Sequence, residues 1–206
     1  MNPPKTLTAD QCRALLVELM RDHSTENQMC KALRNNAMAI VMLETGIRVG
    51  ELCGLRIDDL WFAGQPVTYL VVRKDIAKNK KERQIPISMT LCETLKHINE
   101  TLWSPKNAVS SSYAFFANDP AVKLSTRSVE RIILKAGKKA INIEVTPHML
   151  RHTFGSRMMR KTNARVVQSL LGHSSLQSTQ IYMHPNSQDL QNAINDKYDP
   201  ELHDYR

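Results

Sequence analysis

Several features that are common in small functional domains are absent from this chain of 206 residues. Its four cysteines, at positions 12, 30, 53 and 92, are widely spaced and form no CxxC pair. That spacing excludes a zinc ribbon and a dithiol redox motif, and it predicts four reduced thiols. The sequence also has no P-loop, no GxSxG motif and no acidic cluster suited to two metal ions. We therefore expect neither a cofactor nor a metal.

Long apolar runs are missing as well. No stretch approaches the ~18 consecutive apolar residues that a membrane-spanning helix needs. The first residues, MNPPKTLTADQ, lack the apolar core of a signal peptide. These absences predict a cytoplasmic protein.

The charge is the first positive indication. Lysine and arginine number 28 against 20 aspartates and glutamates, which gives a net charge of +8. A basic surplus of this size favours a polyanionic partner, and nucleic acid is the first candidate.

The periodicity of apolar residues predicts a mostly helical chain with a small antiparallel β-sheet. One predicted helix begins at the Thr8 capping box and another at Thr146. The other predicted helices cover, approximately, Asn27 to Glu44, Arg48 to Cys53, Met89 to Leu102, Ser125 to Ala140, Asn163 to Leu171 and Leu176 to Met183. The segment from Thr68 to Ile87 is typical of two strands joined by a polar turn. Within the loosely patterned stretch 104–120, YAFFA is a candidate strand, and SQDLQNAINDKY near the C-terminus is amphipathic.

The most informative stretch is TPHMLRHTFGSRM, which begins at Thr146. Thr146 and Pro147 are typical of a helix start, so His148 and Arg151 share a face near a helix N-terminus. The free N–H groups at that end, together with a guanidinium, favour a phosphate site beside a titratable imidazole.

The two histidines of this stretch allow two other interpretations. His148 and His152 have the spacing of a zinc pair, but Met149 stands where a zinc metalloprotease has its glutamate. His152 by itself is interpreted as a residue that packs in the core.

Four blocks together resemble the catalytic domain of the tyrosine recombinases, or phage-type integrases. The blocks are TGIRVGELCGLRIDDL, AKNKKERQIPI, HMLRHTFGSRM and VVQSLLGHSSLQSTQIYMH. They occur in the family's order and spacing between Thr45 and His184, and cover most of the chain.

The resemblance implies a site that cuts and rejoins DNA without a metal. The family's site residues fall on Arg48, Lys78, His148, Arg151, His173 and Tyr182. At Lys78 the sequence departs from the family pattern, because the usual Gly-Lys-Gly is Ala-Lys-Asn here; Lys74, Lys80 and Lys81 are alternatives for the same role.

The resemblance also implies the role of each residue. Tyr182 is expected to attack the scissile phosphate, which forms a 3′-phosphotyrosyl bond and releases a 5′-hydroxyl. Two forked guanidiniums, of Arg48 and Arg151, suit the charge that builds on the phosphate oxygens, and His173 is expected to add a hydrogen bond. His148 is expected to take the tyrosine proton, and Lys78 to protonate the leaving 5′-oxygen.

The expected protein is therefore a single catalytic domain over residues 1–206 that performs site-specific recombination on double-stranded DNA. Only 47 residues precede Arg48, too few for the separate helical domain that the family usually has. A non-catalytic DNA-binding regulator, a topoisomerase and a hairpin-forming resolvase remain alternatives on the same scaffold.

Two further expectations concern the contacts with DNA and with other subunits. The basic helix spanning Arg127 to Lys139 is a candidate for groove contact. In the tail, Leu190 and Ile194 lie at helical spacing, and in the family this segment often docks on a neighbouring subunit. We expect a monomer without DNA and a homo-tetramer on paired DNA sites.

Overall fold

A computed structural model describes residues 5–21, 25–175, 177–180 and 182 of the chain. Its helices are α1 (Ala9–Leu19), α2 (Glu26–Thr45), α3 (Val49–Gly54), α4 (Met89–Ile98), α5 (Thr126–Ile141), α6 (Pro147–Met159), α7 (Ala164–Leu171) and α8 (Gln177–Gln180). Its strands are β1 (Trp61–Phe62), β2 (Gln65–Pro66), β3 (Tyr69–Val72) and β4 (Arg83–Pro86). The expected mostly helical fold with small antiparallel sheets is confirmed.

Local capping chemistry explains where the main helices begin. Thr8 forms the predicted capping box with Gln11, and the side chain of Thr146 accepts from the backbone N–H of Met149. The hydroxyl of Ser125 and the amide oxygen of Asn163 cap α5 and α7 in the same way. Each cap satisfies a donor that the first helical turn leaves free, so these starts follow from the local sequence.

The strands form two separate antiparallel hairpins. Strand β3 pairs with β4 in a register that places Tyr69 opposite Pro86 and Val72 opposite Arg83. The smaller hairpin of β1 and β2 turns at Ala63 and Gly64, both with positive φ, and was not predicted. Strands of two residues are too short to show alternation in the sequence.

Helix α2 lies at the centre of the core. It packs against α1, α4 and α6, while α5 closes the other side of α1. Met38, Val41 and Met42 of α2 are almost completely buried. The site helix α6 is thereby held against the buried centre of the core.

Two predicted elements differ in the structure. The YAFFA segment forms no regular strand; only isolated bridges pair Tyr113 with Arg56 and Phe116 with Lys123. Ala114, Phe115 and Phe116 are all buried in succession, so the segment is enclosed on every side instead of alternating between core and solvent. The helix that begins at Met89 changes to π-helical geometry over Asn99–Trp103.

Two absences can be stated for the described part of the chain. All four cysteines lie in it and are free thiols. None of its helices is both long enough and apolar enough to cross a membrane. The amphipathic tail with Leu190 and Ile194 lies outside the described residues.

Candidate active site

Arg151 lies on the buried side of α6 and is only 2% exposed. Its guanidinium donates to the carbonyl of Gly46 at 2.6 Å and to that of Leu171 at 2.8 Å. These carbonyls belong to the C-terminal ends of α2 and α7, where the helix dipole favours a cation. Burial and the nearby charge of Arg48 lower the pKa of Arg151 to about 10, so it stays protonated at neutral pH.

Gly46 makes this arrangement possible. It ends α2 in the left-handed conformation, with φ of 64°, and a β-carbon there would approach the Phe154 ring to 2.3 Å. A glycine is therefore required both by the backbone and by the close packing of α6.

Arg48 is the N-cap residue of α3, and Glu51 holds it there. The Glu51 carboxylate accepts from the Arg48 backbone N–H at 2.8 Å and from its guanidinium at 3.3 Å. Glu51 also binds Arg83 of β4 through two hydrogen bonds, of 2.6 and 3.1 Å. Burial raises the pKa of the Glu51 carboxyl, but the hydrogen bonds and charges of Arg83 and Arg48 prevail and leave it below its usual value.

Lys78 lies exposed in the turn between β3 and β4. The side chain of the next residue, Asn79, donates to the Gly172 carbonyl at 3.2 Å and so ties the turn to the loop that carries His173. Lys80 adopts a positive φ of 56°.

His148 stands at the exposed start of α6. Partial burial of its ring and the positive charges of Arg151, Arg48 and Lys78 lower its pKa below the usual value. It is therefore neutral at physiological pH in the absence of an anion.

His173 follows the α7 cap residue Gly172. Its Nδ1 lies 3.0 Å from the Thr179 hydroxyl, and its ring is nearly parallel to that of Tyr182, with 6.3 Å between the centroids. Burial and the charges of Arg151, Arg48 and Arg83 lower the pKa of His173 to about 4.

Tyr182 is 7% exposed and packs with Phe154, Val167 and Leu171 in a small second core. Its hydroxyl lies 2.8 Å from Nδ1 of His152, the histidine that the sequence assigned to core packing. The His152 ring is only half-buried and touches that of His148 edge-on, with 4.1 Å between the centroids.

A single cleft of about 640 Å³ brings four of the predicted residues together. Its lining includes Arg48, Lys78, His148 and Arg151, together with the exposed Arg127 and Arg131 of α5. None of the three rival lysines lines it. The cleft can therefore present several cations to one anion.

Sequence reasoning missed three residues of the site: Glu51, Arg83 and His152. Arg83 alternates with exposed residues along β4 and faces inward with Ile85, a pattern that was available in the sequence. Glu51 stands three residues after Arg48, which is the capping-box spacing. No local signal connects His152 with Tyr182, 30 residues further along the chain.

The described residues offer no group of three His, Cys, Asp or Glu side chains that could hold a metal ion. The ionisable groups of the cleft are four guanidiniums, an ammonium and an imidazole, beside the single carboxylate of Glu130. That donor set is suited to an anion such as phosphate.

The fold and this arrangement of cations, histidines and tyrosine agree with comparisons to known proteins. The model of the phage integrase family matches residues 5–189, and the chain belongs to that family of tyrosine recombinases. It is 34% identical to the tyrosine recombinase XerA of Pyrococcus furiosus over 194 residues, which are 93% of this chain and 61% of that protein.

Other relatives give the same result. The tyrosine recombinase XerC of Thermodesulfovibrio yellowstonii is 36% identical over 186 residues, 88% of this chain and 58% of the relative. A crystal structure of XerA recombinase superposes with a TM-score of 0.75 at 30% identity, over 96% of this chain and 67% of that one. The chain thus spans about three fifths of the length of the curated relatives it matches.

Proposed function

We propose that this protein cuts and rejoins double-stranded DNA as a site-specific recombinase, through a covalent 3′-phosphotyrosyl intermediate. One observation carries the proposal: Arg48, Lys78, His148 and Arg151 line one cleft, and the Tyr182 ring packs on α6, where the charges of Arg48 and Arg151 reach its hydroxyl. Family membership supports the same chemistry.

The two guanidiniums have different parts in this mechanism. Arg151 is fixed by two backbone carbonyls, so its remaining donors point in a direction set by the fold. Arg48 is held by a carboxylate that it shares with Arg83. Fixed donors of this kind stabilise the charge that develops on the phosphate oxygens without reorganising during the reaction.

Tyr182 supplies the nucleophile and Lys78 the proton for the leaving 5′-oxygen. Burial raises the pKa of the Tyr182 hydroxyl, although Arg151 and Arg48 act in the opposite direction. The hydroxyl therefore stays protonated at neutral pH and must give up its proton to a neighbouring group during attack. His173, parallel to the tyrosine ring, is a donor to the same phosphate.

Trapping of a covalent adduct tests the proposal. Duplexes with a nick near randomised sequence would be incubated with the protein, and DNA bound after denaturation would be recovered and sequenced. We expect the wild type to yield an adduct at a defined site and Tyr182→Phe to bind DNA without forming one. DNA binding without an adduct would instead support the non-catalytic regulator, and supercoil relaxation without strand exchange would support a topoisomerase.

A sulfur-substituted DNA identifies the general acid. Lys78→Ala should cleave ordinary DNA about 100-fold more slowly, because an alkoxide leaves poorly without a proton. The same variant should recover on DNA with a bridging 5′-sulfur, since a thiolate leaves without protonation. Lys80→Ala is the matched control from the same turn and should cleave both DNAs like the wild type. If the sulfur-substituted DNA rescues Lys80→Ala and not Lys78→Ala, the general acid is Lys80.

We further propose that the chain is a monomer in isolation and a cyclic tetramer on paired DNA sites. The support is the amphipathic tail beyond Pro185, whose apolar residues Leu190 and Ile194 need a surface to cover them. A chain that ends at Pro185 should still cleave DNA but fail in strand exchange. Normal strand exchange by that shorter chain would contradict this assembly.

A further inference from the structure

The hydroxyl of Tyr182 makes a hydrogen bond with His152, a histidine to which no function has been given above. The distance from the hydroxyl oxygen to Nδ1 of His152 is 2.8 Å, and the two rings are tilted by 57° with centroids 5.5 Å apart. A group that takes a proton from a nucleophile must lie within about 2.6–3.2 Å of it. His152 meets this condition.

The position of Tyr182 against His152 is well defined. A β-carbon at position 155 would come within 2.7 Å of the tyrosine ring, so the ring lies directly on the Gly155 backbone. His173 covers another side, nearly parallel to the ring. The contact between hydroxyl and imidazole is therefore fixed by packing on both sides.

The protonation of His152 favours an acceptor role. Burial, with the charges of His148 and Arg151, lowers its pKa to about 4, so the ring is neutral at physiological pH. With its proton on Nε2, a neutral ring presents the Nδ1 lone pair to the tyrosine O–H. This tautomer is the one that the hydroxyl requires if it is to donate.

We propose, on the basis of the function proposed above, that His152, and not His148 as the family resemblance implies, takes the proton from Tyr182 during cleavage. The tyrosine oxygen bonds to phosphorus, its proton moves to Nδ1 of His152, and the bond from phosphorus to the 5′-oxygen breaks. Lys78 supplies the proton that this oxygen needs. In rejoining, the 5′-hydroxyl gives its proton to Lys78 and attacks phosphorus, the bond from phosphorus to the tyrosine oxygen breaks, and His152 returns its proton to that oxygen.

The surrounding charges make this transfer depend on DNA. A protonated His152 would face His148 and Arg151 of its own helix, and His173 and Tyr182 from the following segments. Arg48 adds its charge to the same region. A phosphate bound at the two arginines offsets their charge and makes an imidazolium at position 152 less costly. His148, exposed beside the cleft, is then free to donate to the phosphate.

The pH dependence of adduct formation on DNA with a bridging 5′-sulfur tests this assignment, because the leaving group then needs no acid. His152→Asn keeps an amide oxygen near the position of Nδ1 but cannot take the proton. We expect adduct formation at pH 7 to fall about 100-fold or more, the usual contribution of a general base. The rate should then rise about tenfold per pH unit up to pH 9, as phenolate forms without help.

Two controls distinguish proton transfer from simple packing. His148→Asn should form the adduct more slowly, but its rate should depend on pH in the same way as that of the wild type. His152→Ala should be accelerated by free imidazole in the buffer, which a purely structural role would not produce. Circular dichroism and urea unfolding establish that each variant is folded.

The outcomes are distinct. If His152→Asn forms the adduct at the wild-type rate and with the wild-type pH profile, the inference is wrong and the proposed function still stands. The same conclusion follows if only His148→Asn shows a rate that rises tenfold per pH unit. A wild-type protein that traps no DNA at any sequence would overturn the proposed function and this inference with it.

Discussion

At the scale of single residues, the candidate site depends on cations held by backbone carbonyls and by one carboxylate. Arg151 donates to the last carbonyls of two helices, and Arg48 shares Glu51 with Arg83. These partners hold the guanidiniums in one orientation before any substrate arrives. Preorganisation of this kind is what makes a fixed cation more effective than a mobile one.

Arg151→Lys is expected to be a severe change. One ammonium cannot reproduce a planar fork that spans the carbonyls of Gly46 and Leu171, so at least one buried acceptor loses its partner. We expect adduct formation to fall about 100-fold or more, the scale of one lost preorganised donor. The free energy of unfolding should fall by about 1–3 kcal/mol, measured by urea denaturation.

The exposed Arg127 of α5 offers the matched control. Arg127→Lys keeps a surface charge near the cleft and should change neither cleavage nor stability appreciably. Bulk DNA affinity should be similar for both variants, because many cations contribute to it. Equal losses of binding and cleavage in Arg151→Lys would contradict a specific role at the phosphate.

Glu51→Gln tests the buried charge pair beneath Arg48. Glu51 is 1% exposed, and its removal leaves the Arg83 guanidinium buried without a counter-charge. Breaking a buried pair from one side costs about 3–5 kcal/mol, which urea unfolding would measure. Glu44→Gln is the control, because Glu44 pairs with Arg157 near the surface and should cost less than about 1 kcal/mol. Similar losses of unfolding free energy in the two variants would contradict the larger contribution expected of the buried pair.

At the scale of elements, α5 places a basic face beside the phosphate site. Arg127 and Arg131 are exposed and line the same cleft as Arg48 and Arg151. Their charges lie beside the residues that we propose bind the scissile phosphate. We therefore expect this face of α5 to contact the DNA backbone.

Replacing Arg127 and Arg131 by alanine should weaken DNA binding without abolishing cleavage at saturating DNA. Each lost phosphate contact reduces the slope of log affinity against log salt by about 1, which a titration at several salt concentrations measures. Lys138→Ala, at the far end of the same helix beside Glu144, should leave the slope unchanged. An unchanged slope in the double variant would remove α5 from the DNA interface.

The elements also show what a sequence can and cannot predict. The starts of α1, α5, α6 and α7 depend on a cap a few residues away, so they were predicted almost to the residue. The hairpin of β1 and β2 and the enclosed YAFFA segment depend on what packs against them. Within the site, the pairs Glu51–Arg83 and His152–Tyr182 join residues about 30 positions apart, and only the folded chain brings them together.

At the scale of the whole molecule, the histidines of the site should make stability depend on pH. Burial and neighbouring positive charge lower the pKa of both His152 and His173 to about 4. Their unfolded pKa is about 6.5, so between pH 4 and 6.5 the unfolded chain binds more protons than the folded one. The free energy of unfolding should therefore have its full value above pH 6.5 and decline as the pH falls towards 4.

Urea unfolding at several pH values between 4.5 and 7.5 measures this decline. His173→Asn removes one of the two groups and should give a shallower profile than the wild type. Below about pH 4.5, protonation of Glu51 weakens its bonds to Arg83 and acts in the same direction, because the pKa of its carboxyl is also lowered. A profile that is flat from pH 7.5 to 5 would contradict the neutral state of these histidines.

The two carbonyl partners of Arg151 tie the proposed activity to the native fold. They belong to the ends of α2 and α7, which are 125 residues apart in the chain and meet only in the native fold. A nascent or unfolded chain therefore lacks the assembled arginine site on which the proposed cleavage depends. Cutting ability and native structure should disappear together, at the same urea concentration, so that only correctly folded molecules would carry the proposed activity.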